Sequence, residues 1–362
     1  MFVGSVVDVV IAVHTPERPI ERAVASVLEN ECDVRVLVVV HNTEVDPIRD
    51  RLGVLAADPR VRLLEFNDGV KSPAGPMNYG FDQADAPWVS LVGSDDALEP
   101  GALDQWLALA KKHQAGVVIA PIRFNHGAVF SYPPVRPGWL FGRERVCDPV
   151  LDRLSYRVAP LGLISREALA DYRLEMGLAT GEDQPLSLRL WFSSRVVFAP
   201  RSRCYVGFED QTDRVTYTSR SFTEDLAVVS LLLDPKMPYF GSRASRVAVF
   251  SQVLRQVVGN TVLLRSGGQL EGDEFLELQR VTRLVVAAEP SVLRVLSRAE
   301  AQFVGGIVSG EVRGDALHKL AARANRFTGL DTVLTSNLKH LLHPQAPLRL
   351  RIAQLLVQRF GK

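Results

Sequence analysis

The stretch "WVSLVGSDDALEPGALDQW" (residues 88–106) places an apolar strand, two adjacent carboxylates and the start of a helix in immediate succession. Its first five residues are typical of a buried strand, and Leu103, Trp106 and Leu107 mark one apolar face of a helix. Asp95 and Asp96 follow the strand. Because adjacent carboxylates repel one another, their position predicts a cation or a rich set of hydrogen bonds at this strand end.

The same alternation of strand and helix runs through the first third of the chain. The pattern predicts strands at 6–13, 34–40, 61–66, 88–92 and 116–122, and helices at 20–28, 76–84 and 101–114. Repeated βα units imply an α/β fold with an open, mostly parallel sheet flanked by helices. Ligands of such sheets bind beyond the carboxyl ends of the strands, which is where Asp95 and Asp96 lie.

The chain changes character at about residue 216, where long helical patterns replace the strands. We therefore predict an α/β domain at 1–215 and an α-helical domain at 216–362. The helical part carries 19 Lys and Arg against 12 Asp and Glu, a balance of +7, which leaves 23 against 29, or −6, for the first part. We expect the basic helices to contact an anionic membrane surface, an acceptor or a second copy of the chain; a solvated helix face is the alternative.

Composition narrows the class of protein. At 362 residues and 47% hydrophobic, the chain can bury a sizeable core. No run of about eighteen apolar residues indicates a spanning helix. The apolar N-terminus lacks a basic leader and is interrupted by Asp8, so it predicts a core strand. Three widely spaced cysteines without CxxC spacing argue against a zinc knuckle or a disulfide framework and indicate a reducing cytoplasm.

Hard divalent ions would offset the repulsion between Asp95 and Asp96. Mg²⁺ and Mn²⁺ take oxygen ligands and bridge to phosphates, so the pair is a candidate metal site. The alternative is that Ser94 and the two aspartates cap the following turn and helix, since Ser and Asp are good capping and turn residues.

In a wider context, residues 6 to about 200 resemble a family 2 glycosyltransferase of the GT-A fold. The matching segments occur in the family's order: "VVDVVIAVHTPERPIERAVASVLEN", "VRVLVVVHNT", "NDGVKSPAGPMNYGFDQADAPWVSLVGSDDALEPGAL", and "GLISREAL" followed by "GEDQPLSLRLW". The resemblance implies an inverting transferase that uses a nucleoside diphosphate sugar, with a UDP-sugar expected first, and Mn²⁺ or Mg²⁺ as cofactor.

The resemblance also implies roles for individual residues at the donor site. Asp95 would be the main metal ligand, and Asp96 would support it or orient the sugar. His14 would stack on the nucleotide base, although a satisfied turn histidine is the alternative. The implied donor-binding set is Val13, His14, Thr15, Asn42, Lys71, Asn78, Ser94 and Asp96.

The chain departs from the family pattern at several positions. Gly93 stands where the family usually has a further Asp, and His41 and Asn42 stand where relatives carry two acidic residues. An Asn carbonyl can still accept a hydrogen bond from a pyrimidine N–H. Lys71 would supply positive charge to the diphosphate; a solvated loop lysine is the alternative.

Glu182 and Asp183 occupy the position of the family's general base. The resemblance favours Asp183, with Glu182 as the alternative; two acids at a helix N-terminus are also favoured by the helix dipole. The implied mechanism is a single displacement. Asp183 takes the proton of the attacking hydroxyl, and the metal at Asp95 stabilises the departing diphosphate.

The predicted function is transfer of a sugar to a hydroxyl of a glycan or lipid-linked acceptor in cell-surface polysaccharide or cell-wall synthesis. We expect a cytoplasmic protein, or one held peripherally at the inner face of the plasma membrane. One alternative is a non-catalytic protein of the same fold that binds nucleotide sugars or assembles partners. A nucleotidyltransferase ranks last because no Gly-rich phosphate loop follows the first strand. No nucleic-acid module accompanies the basic tail, so no nucleic-acid partner is expected.

Overall fold

The structure is a computed structural model, and it describes residues 5–125, 127–130, 132–136, 144–210, 220–265, 270, 272–326 and 328–360. Its strands are β1 (Val7–Val13), β2 (Val34–His41), β3 (Val61–Phe66), β4 (Trp88–Leu91), β5 (Ala97–Leu98), β6 (Val117–Ile119), β7 (Ile122–Phe124), β8 (Arg145–Val146), β9 (Gly162–Ser165), β10 (Val196–Phe198) and β11 (Tyr205–Gly207). Its α-helices are α1 (Ile20–Leu28), α2 (Val45–Leu52), α3 (Ala74–Gln83), α4 (Ala102–His113), α5 (Arg166–Leu169), α6 (Gln184–Ser193), α7 (Phe222–Leu232), α8 (Arg243–Gln252), α9 (Gly259–Leu263), α10 (Gly272–Ala288), α11 (Arg298–Ser309), α12 (Gly314–Ala324), α13 (Leu330–Val333) and α14 (Pro347–Phe360).

An eight-stranded sheet lies at the centre of the first half, in the order β3-β2-β1-β4-β9-β6-β10-β8. Strand β1 pairs in parallel with both β2 and β4, and β2 pairs in parallel with β3. Strands β8 and β9 run antiparallel to their neighbours. The predicted α/β fold with a mostly parallel sheet is therefore confirmed. Strand order reverses beside β1, so a crevice opens at the carboxyl ends of β1 and β4.

Helices cover both faces of this sheet because β1 and β2 are apolar on both faces. Val9 and Ile11 belong to one apolar cluster with α1 and α4, whereas Val10 belongs to a second cluster with α3. Helix α3 approaches β1 through a glycine. A Cβ atom at Gly80 would lie 2.2 Å from a methyl carbon of Val10, so no larger residue fits at this contact.

The acid within β1 is part of the core. Asp8 is fully buried and forms two hydrogen bonds with the Arg35 guanidinium, at 2.8 and 2.6 Å. The backbone N–H groups of Asp85 and Ala86 donate to the same carboxylate at 2.8 and 2.9 Å. These contacts satisfy a charge that would otherwise be costly to bury, and they tie β1 to β2 and to the turn before β4.

The strand predicted at 116–122 is in fact two strands in two sheets. Strand β6 belongs to the large sheet, and β7 pairs with β11 in a three-stranded sheet of order β5-β11-β7. Pro121 separates the two strands, and proline cannot donate a hydrogen bond to a strand ladder. The switch directs the chain from the large sheet toward the crevice, because β11 lies beside the segment that follows β4.

The second half is helical, as the sequence predicts. One cluster of buried apolar residues continues from the sheet, with Trp191 and Phe198, into the helices, with Phe222, Phe250 and Phe303. The predicted boundary at residue 215 falls outside the described residues. No described helix combines the length and the apolarity needed to cross a membrane. All three cysteines are free thiols.

Candidate active site

Asp95 and Asp96 lie in the short segment between β4 and β5, at the crevice between the ends of β1 and β4. Ser94 and Asp95 are both buried, at 6% and 8% exposure, and form a turn. Helix α4 begins only at Ala102, and its N-cap is Gly101. The aspartates therefore do not cap this helix, and their position at the strand end is explained by their partners.

Two arginines from the segment after β1 hold Asp95. Arg18 forms an ion pair with its carboxylate at 2.8 Å, and both side chains are almost buried. Arg22 donates to the backbone carbonyl of Asp95 and stacks on Phe208, with 3.7 Å between the guanidinium carbon and the ring centroid. The repulsion expected between the two carboxylates is thus offset in part by cations of the chain itself.

Asp96 is held by a different set of groups. The Tyr205 hydroxyl donates to one carboxylate oxygen at 2.5 Å, and the Phe208 N–H donates to the other at 3.1 Å. Gly93 explains how this fits, because a Cβ atom there would lie 2.6 Å from the Asp96 carboxylate. Burial and the neighbouring Asp96 raise the pKa of Tyr205 well above its ordinary value, so its hydroxyl stays protonated and donates.

The end of β1 places the residues predicted to line the base beside this acidic turn. Val13 is buried as the last residue of the strand. His14 is exposed, and Thr15 accepts a hydrogen bond at 3.5 Å from the N–H of Glu17. The role of His14 in stacking on a base stays a prediction.

His41 and Asn42, at the end of β2, belong to a network around Asp68. A ring nitrogen of His41 lies 2.8 Å from the Asp68 carboxylate, and this hydrogen bond lowers the pKa of Asp68. Asn42 adopts a positive φ of 53°, which asparagine tolerates. Its carbonyl oxygen accepts a hydrogen bond from Gly69 at 2.9 Å, so one lone pair remains for a base N–H.

The two remaining donor-site predictions lie near α3. Lys71 is exposed in the loop before the helix. Asn78 uses its amide elsewhere, since it donates to the Leu174 carbonyl and accepts from the Leu174 N–H, both at 2.9 Å. In this structure Asn78 therefore anchors the loop that leads to Glu182. Contact of either residue with a diphosphate stays a prediction.

Glu182 and Asp183 stand at the start of α6, where Asp183 is the N-cap residue. Burial, together with the neighbouring charge of Glu182, raises the pKa of Asp183 above its ordinary value. Burial also raises the pKa of Glu182. A carboxylate with a raised pKa is a stronger base, which is the property required of a group that takes a hydroxyl proton near neutral pH.

A buried arginine connects the two acidic motifs. Arg157 is 3% exposed, and burial lowers its pKa to about 9, while the nearby side chains of Tyr205 and Asp183 act in the opposite direction. One guanidinium nitrogen donates to the carbonyls of Ala120 and Leu161. The other two nitrogens have no hydrogen-bond partner within the part of the chain that the structure describes.

Sequence patterns identified the acidic members of this site but missed their basic and phenolic partners. Tyr205 is 109 residues from Asp96, and nothing in its short strand distinguishes it from a core tyrosine. Arg157 lies in a loop without periodicity. Arg18 lies in the "HTPERP" segment, whose position after β1 was the one available signal, because that strand end borders the crevice.

The donor atoms of this site suit a hard divalent ion. Among the described residues, no group of three or more His, Cys, Asp or Glu side chains is placed to hold a metal. Asp95 and Asp96 offer carboxylate oxygens only. Mg²⁺ and ions like it are commonly bound through one or two carboxylates, with substrate phosphates and water completing the shell. The residues present fit an ion of that kind bound together with a diphosphate.

Comparison with known proteins shows that part of this chain matches a family model. Residues 8–173 match the family model described as Glycosyl transferase family 2. The succinoglycan biosynthesis protein ExoO of Rhizobium meliloti (strain 1021) is 29% identical over 113 residues, which are 31% of this chain. That match spans 32% of the curated relative's length. Asp183 lies beyond residues 8–173, the part that the family model matches.

Solved structures share the fold over a greater length. S. aureus TarS 1–349 in complex with UDP-GlcNAc superposes with a TM-score of 0.68 at 14% identity, covering 89% of this chain and 93% of that one. The crystal structure of S. aureus TarS 1–349 gives a TM-score of 0.65, also at 14% identity. The predicted GT-A fold with a helical C-terminal region is confirmed by this likeness.

Proposed function

Because residues 8–173 match the Glycosyl transferase family 2 model, we propose that this protein transfers a sugar from a nucleoside diphosphate sugar to a hydroxyl of a glycan or lipid-linked acceptor. The reaction is a single displacement with inversion, and a UDP-sugar is the first donor to test. The observation that carries the proposal is Arg157. This buried side chain has both Asp183 and Tyr205, the partner of Asp96, among its electrostatic neighbours, so it links the candidate base to the acidic turn.

The residues of the site divide the chemistry among them. Asp183 accepts the proton of the acceptor hydroxyl as its oxygen forms a bond with the anomeric carbon and the bond to the diphosphate breaks. Asp95 and Asp96 would hold Mn²⁺ or Mg²⁺. Such an ion supplies positive charge to the departing diphosphate when it is bound. Arg18 and Arg22 hold the acidic turn in place.

The decisive experiment separates donor binding from transfer. Calorimetry would measure binding of UDP, GDP and their sugars, with and without Mn²⁺, to the native protein, to Asp95→Asn and to Asp183→Asn. We expect one nucleotide to bind in a metal-dependent way, and Asp95→Asn to abolish that binding. Asp183→Asn should bind the same nucleotide, but it should not transfer the sugar and should therefore release no nucleoside diphosphate. No nucleotide binding under any condition would remove the donor-site assignment.

A second function is favoured by one observation. Arg18 already neutralises Asp95 at 2.8 Å, as expected of a scaffold that has lost its need for a metal. The alternative is a non-catalytic protein that binds nucleotide sugars or assembles partners. Nucleotide binding that needs no metal, without turnover on any acceptor, would favour it.

We place the protein in the cytoplasm, at the inner face of the plasma membrane. The support comes from exposed apolar side chains near the C-terminus. Leu338 and Leu342 are 59% and 69% exposed, and Ile352 and Leu355 on α14 are 45% and 47% exposed. Basic side chains are interleaved with these leucines and isoleucine along the chain. Apolar groups flanked by Lys and Arg are suited to the interface of an anionic membrane. Self-association through the same helices is the competing explanation.

A further inference from the structure

A cavity of about 280 Å³ lies among the C-terminal helices, apart from the acidic turn. Its walls come from α9, α11, α12 and α14, and the aromatic side chains of Phe130, Tyr132 and Tyr156 line one side. Leu254, Phe303 and Leu350 are among its apolar walls. Ligand pockets typically combine such walls with a few fixed polar groups, and this volume, near the lower end of their range, suits one ring.

One polar group in the cavity wall lacks a partner. Gln354 is 5% exposed, and its amide nitrogen donates to the Tyr132 hydroxyl at 2.8 Å. Its amide oxygen is buried and has no hydrogen-bond partner among the described residues. Buried carbonyl groups nearly always accept a hydrogen bond, because leaving one unmade is costly. The amide therefore calls for a ligand that carries a hydroxyl or N–H group.

The charges of the cavity are already paired. Arg255 forms a two-point ion pair with Glu300, at 2.7 and 3.0 Å, and also donates to the Tyr156 hydroxyl at 2.7 Å. A ligand needs no charge of its own to satisfy them. Arg255 lies in a π-helical segment, Val253–Val258, and such wide turns occur frequently at functional sites.

A row of aromatic rings leads from the acidic turn to this cavity. Phe124 lies against Gly207, the residue before Phe208, whose N–H donates to Asp96. The next contacts are Phe124 with Phe130 at 5.7 Å and Phe130 with Tyr132 at 4.8 Å between ring centroids. Phe124 and Phe130 are 36% and 40% exposed, so their rings offer an apolar track along the outside of the protein.

We propose that the cavity binds one neutral sugar ring of the acceptor glycan, and that the rest of the glycan follows the aromatic row to the acidic turn. This inference rests on the proposed function, and it names the acceptor class. A pyranose has hydroxyl groups for Gln354 and an apolar C–H face for the aromatic side of the cavity. A hydrocarbon chain would leave the Gln354 oxygen without a partner, and an anion would meet Arg255 already paired with Glu300.

The test compares Gln354→Leu with Gln358→Leu, a matched change at an exposed position one turn later on α14. The probe is an array of immobilised neutral and acidic glycans. We expect the native protein and Gln358→Leu to bind a set of neutral glycans, and Gln354→Leu to bind them about tenfold more weakly, the effect of one lost hydrogen bond. Phe130→Ala, at the exposed rim, should weaken the same glycans.

A second variant tests the cavity independently of Gln354, in case Gln354→Leu fails to fold. Ala324→Phe fills the cavity from the last residue of α12, and it should abolish glycan binding while circular dichroism shows an intact fold. No binding of neutral glycans by the native protein, or equal binding by Gln354→Leu, would overturn the inference. Uptake of a fluorescent fatty acid in place of glycans would overturn it too.

Calorimetry with UDP and GDP distinguishes this inference from the proposed function. Nucleotide binding should be unchanged in Gln354→Leu. If no nucleotide binds but neutral glycans do, the donor site fails and the cavity assignment stands. If nucleotides bind and no glycan does, the donor site stands and the cavity assignment fails.

Discussion

The raised pKa of Asp183 predicts how activity depends on pH. A base must be deprotonated to accept a proton, so a raised pKa moves the acidic limb of the kcat profile to higher pH. Activity should therefore rise with pH through the neutral range, toward the Asp183 pKa of about 8. Because the charge of Glu182 contributes to the shift, Glu182→Gln should move this limb to lower pH. Steady-state rates across pH measure both; an unchanged limb in Glu182→Gln would show that another group is the base.

Arg157 predicts a shift in the opposite direction. Its positive charge favours the ionised form of Asp183, so Arg157→Gln should raise the pKa of Asp183 further and move the acidic limb to higher pH. Arg157→Lys keeps the charge and should leave the limb near its native position. Nucleotide affinity, measured in parallel, should change little in either variant. Equal limbs in the Gln and Lys variants would mean that Arg157 serves only to position the loop.

At the scale of single residues, sequence patterns predict the acids of the site better than their partners. Asp95, Asp96 and Asp183 adjoin elements with clear periodicity, so their positions can be predicted. Arg157 and Tyr205 come close to these acids only after the chain has folded, and neither adjoins a distinctive pattern. Asn78 shows a further limit of sequence-based prediction. Its amide binds the backbone of Leu174, and residue spacing does not predict that contact.

At the scale of elements, the contact of α3 with β1 predicts a stability effect. Gly80→Ala places a methyl group against Val10 and should lower the free energy of unfolding by about 1–3 kcal/mol. The control is Gly305→Ala on α11, where a Cβ atom meets nothing within 4 Å; it should be neutral or stabilising by about 0.5–1 kcal/mol. Urea denaturation measures both.

A rescue variant completes this test. Val10→Ala removes the methyl groups that Gly80→Ala would strike, so the double variant should lose less stability than the two single losses combined. Additive losses would show that the close approach of α3 to β1 is relieved by movement of the helix.

Prediction of the elements succeeds where burial on both faces leaves long β-branched runs, as in β1 and β2. It fails at 116–122, because a single apolar run does not reveal that Pro121 moves the chain to a second sheet. Helix α2 was not predicted, and it buries only Ile48 and Leu52. So short an apolar face leaves little periodicity to detect.

At the scale of the whole molecule, the shared core predicts cooperative unfolding. One apolar cluster joins the sheet to the helices, so heat should unfold both halves in a single transition. Calorimetry measures this, and two separated transitions would contradict it. A variant with Trp191→Ala, in the shared part of the cluster, should lower the temperature of the one transition rather than split it.

The exposed leucines of the C-terminal half predict membrane binding. The native protein should sediment with vesicles containing anionic lipid, and less with neutral vesicles or at high salt. Replacing both Leu338 and Leu342 with Ser should reduce binding several-fold. Val54→Ser is the control, because Val54 is 89% exposed but lies in the first half. Equal sedimentation of the double variant and the control would contradict the membrane assignment.

The π-helical turn at Val253–Val258 has a consequence for sequence alignments of related proteins. A π turn holds an extra residue within a helix, so a related chain with a regular α-helix here should align with a one-residue gap. Loss of that residue would rotate all that follows by about 100° and carry Gly259 and Asn260 away from the cavity. Related proteins that have the gap should therefore lack the cavity. The length of this one helix should then indicate which acceptor a related protein uses.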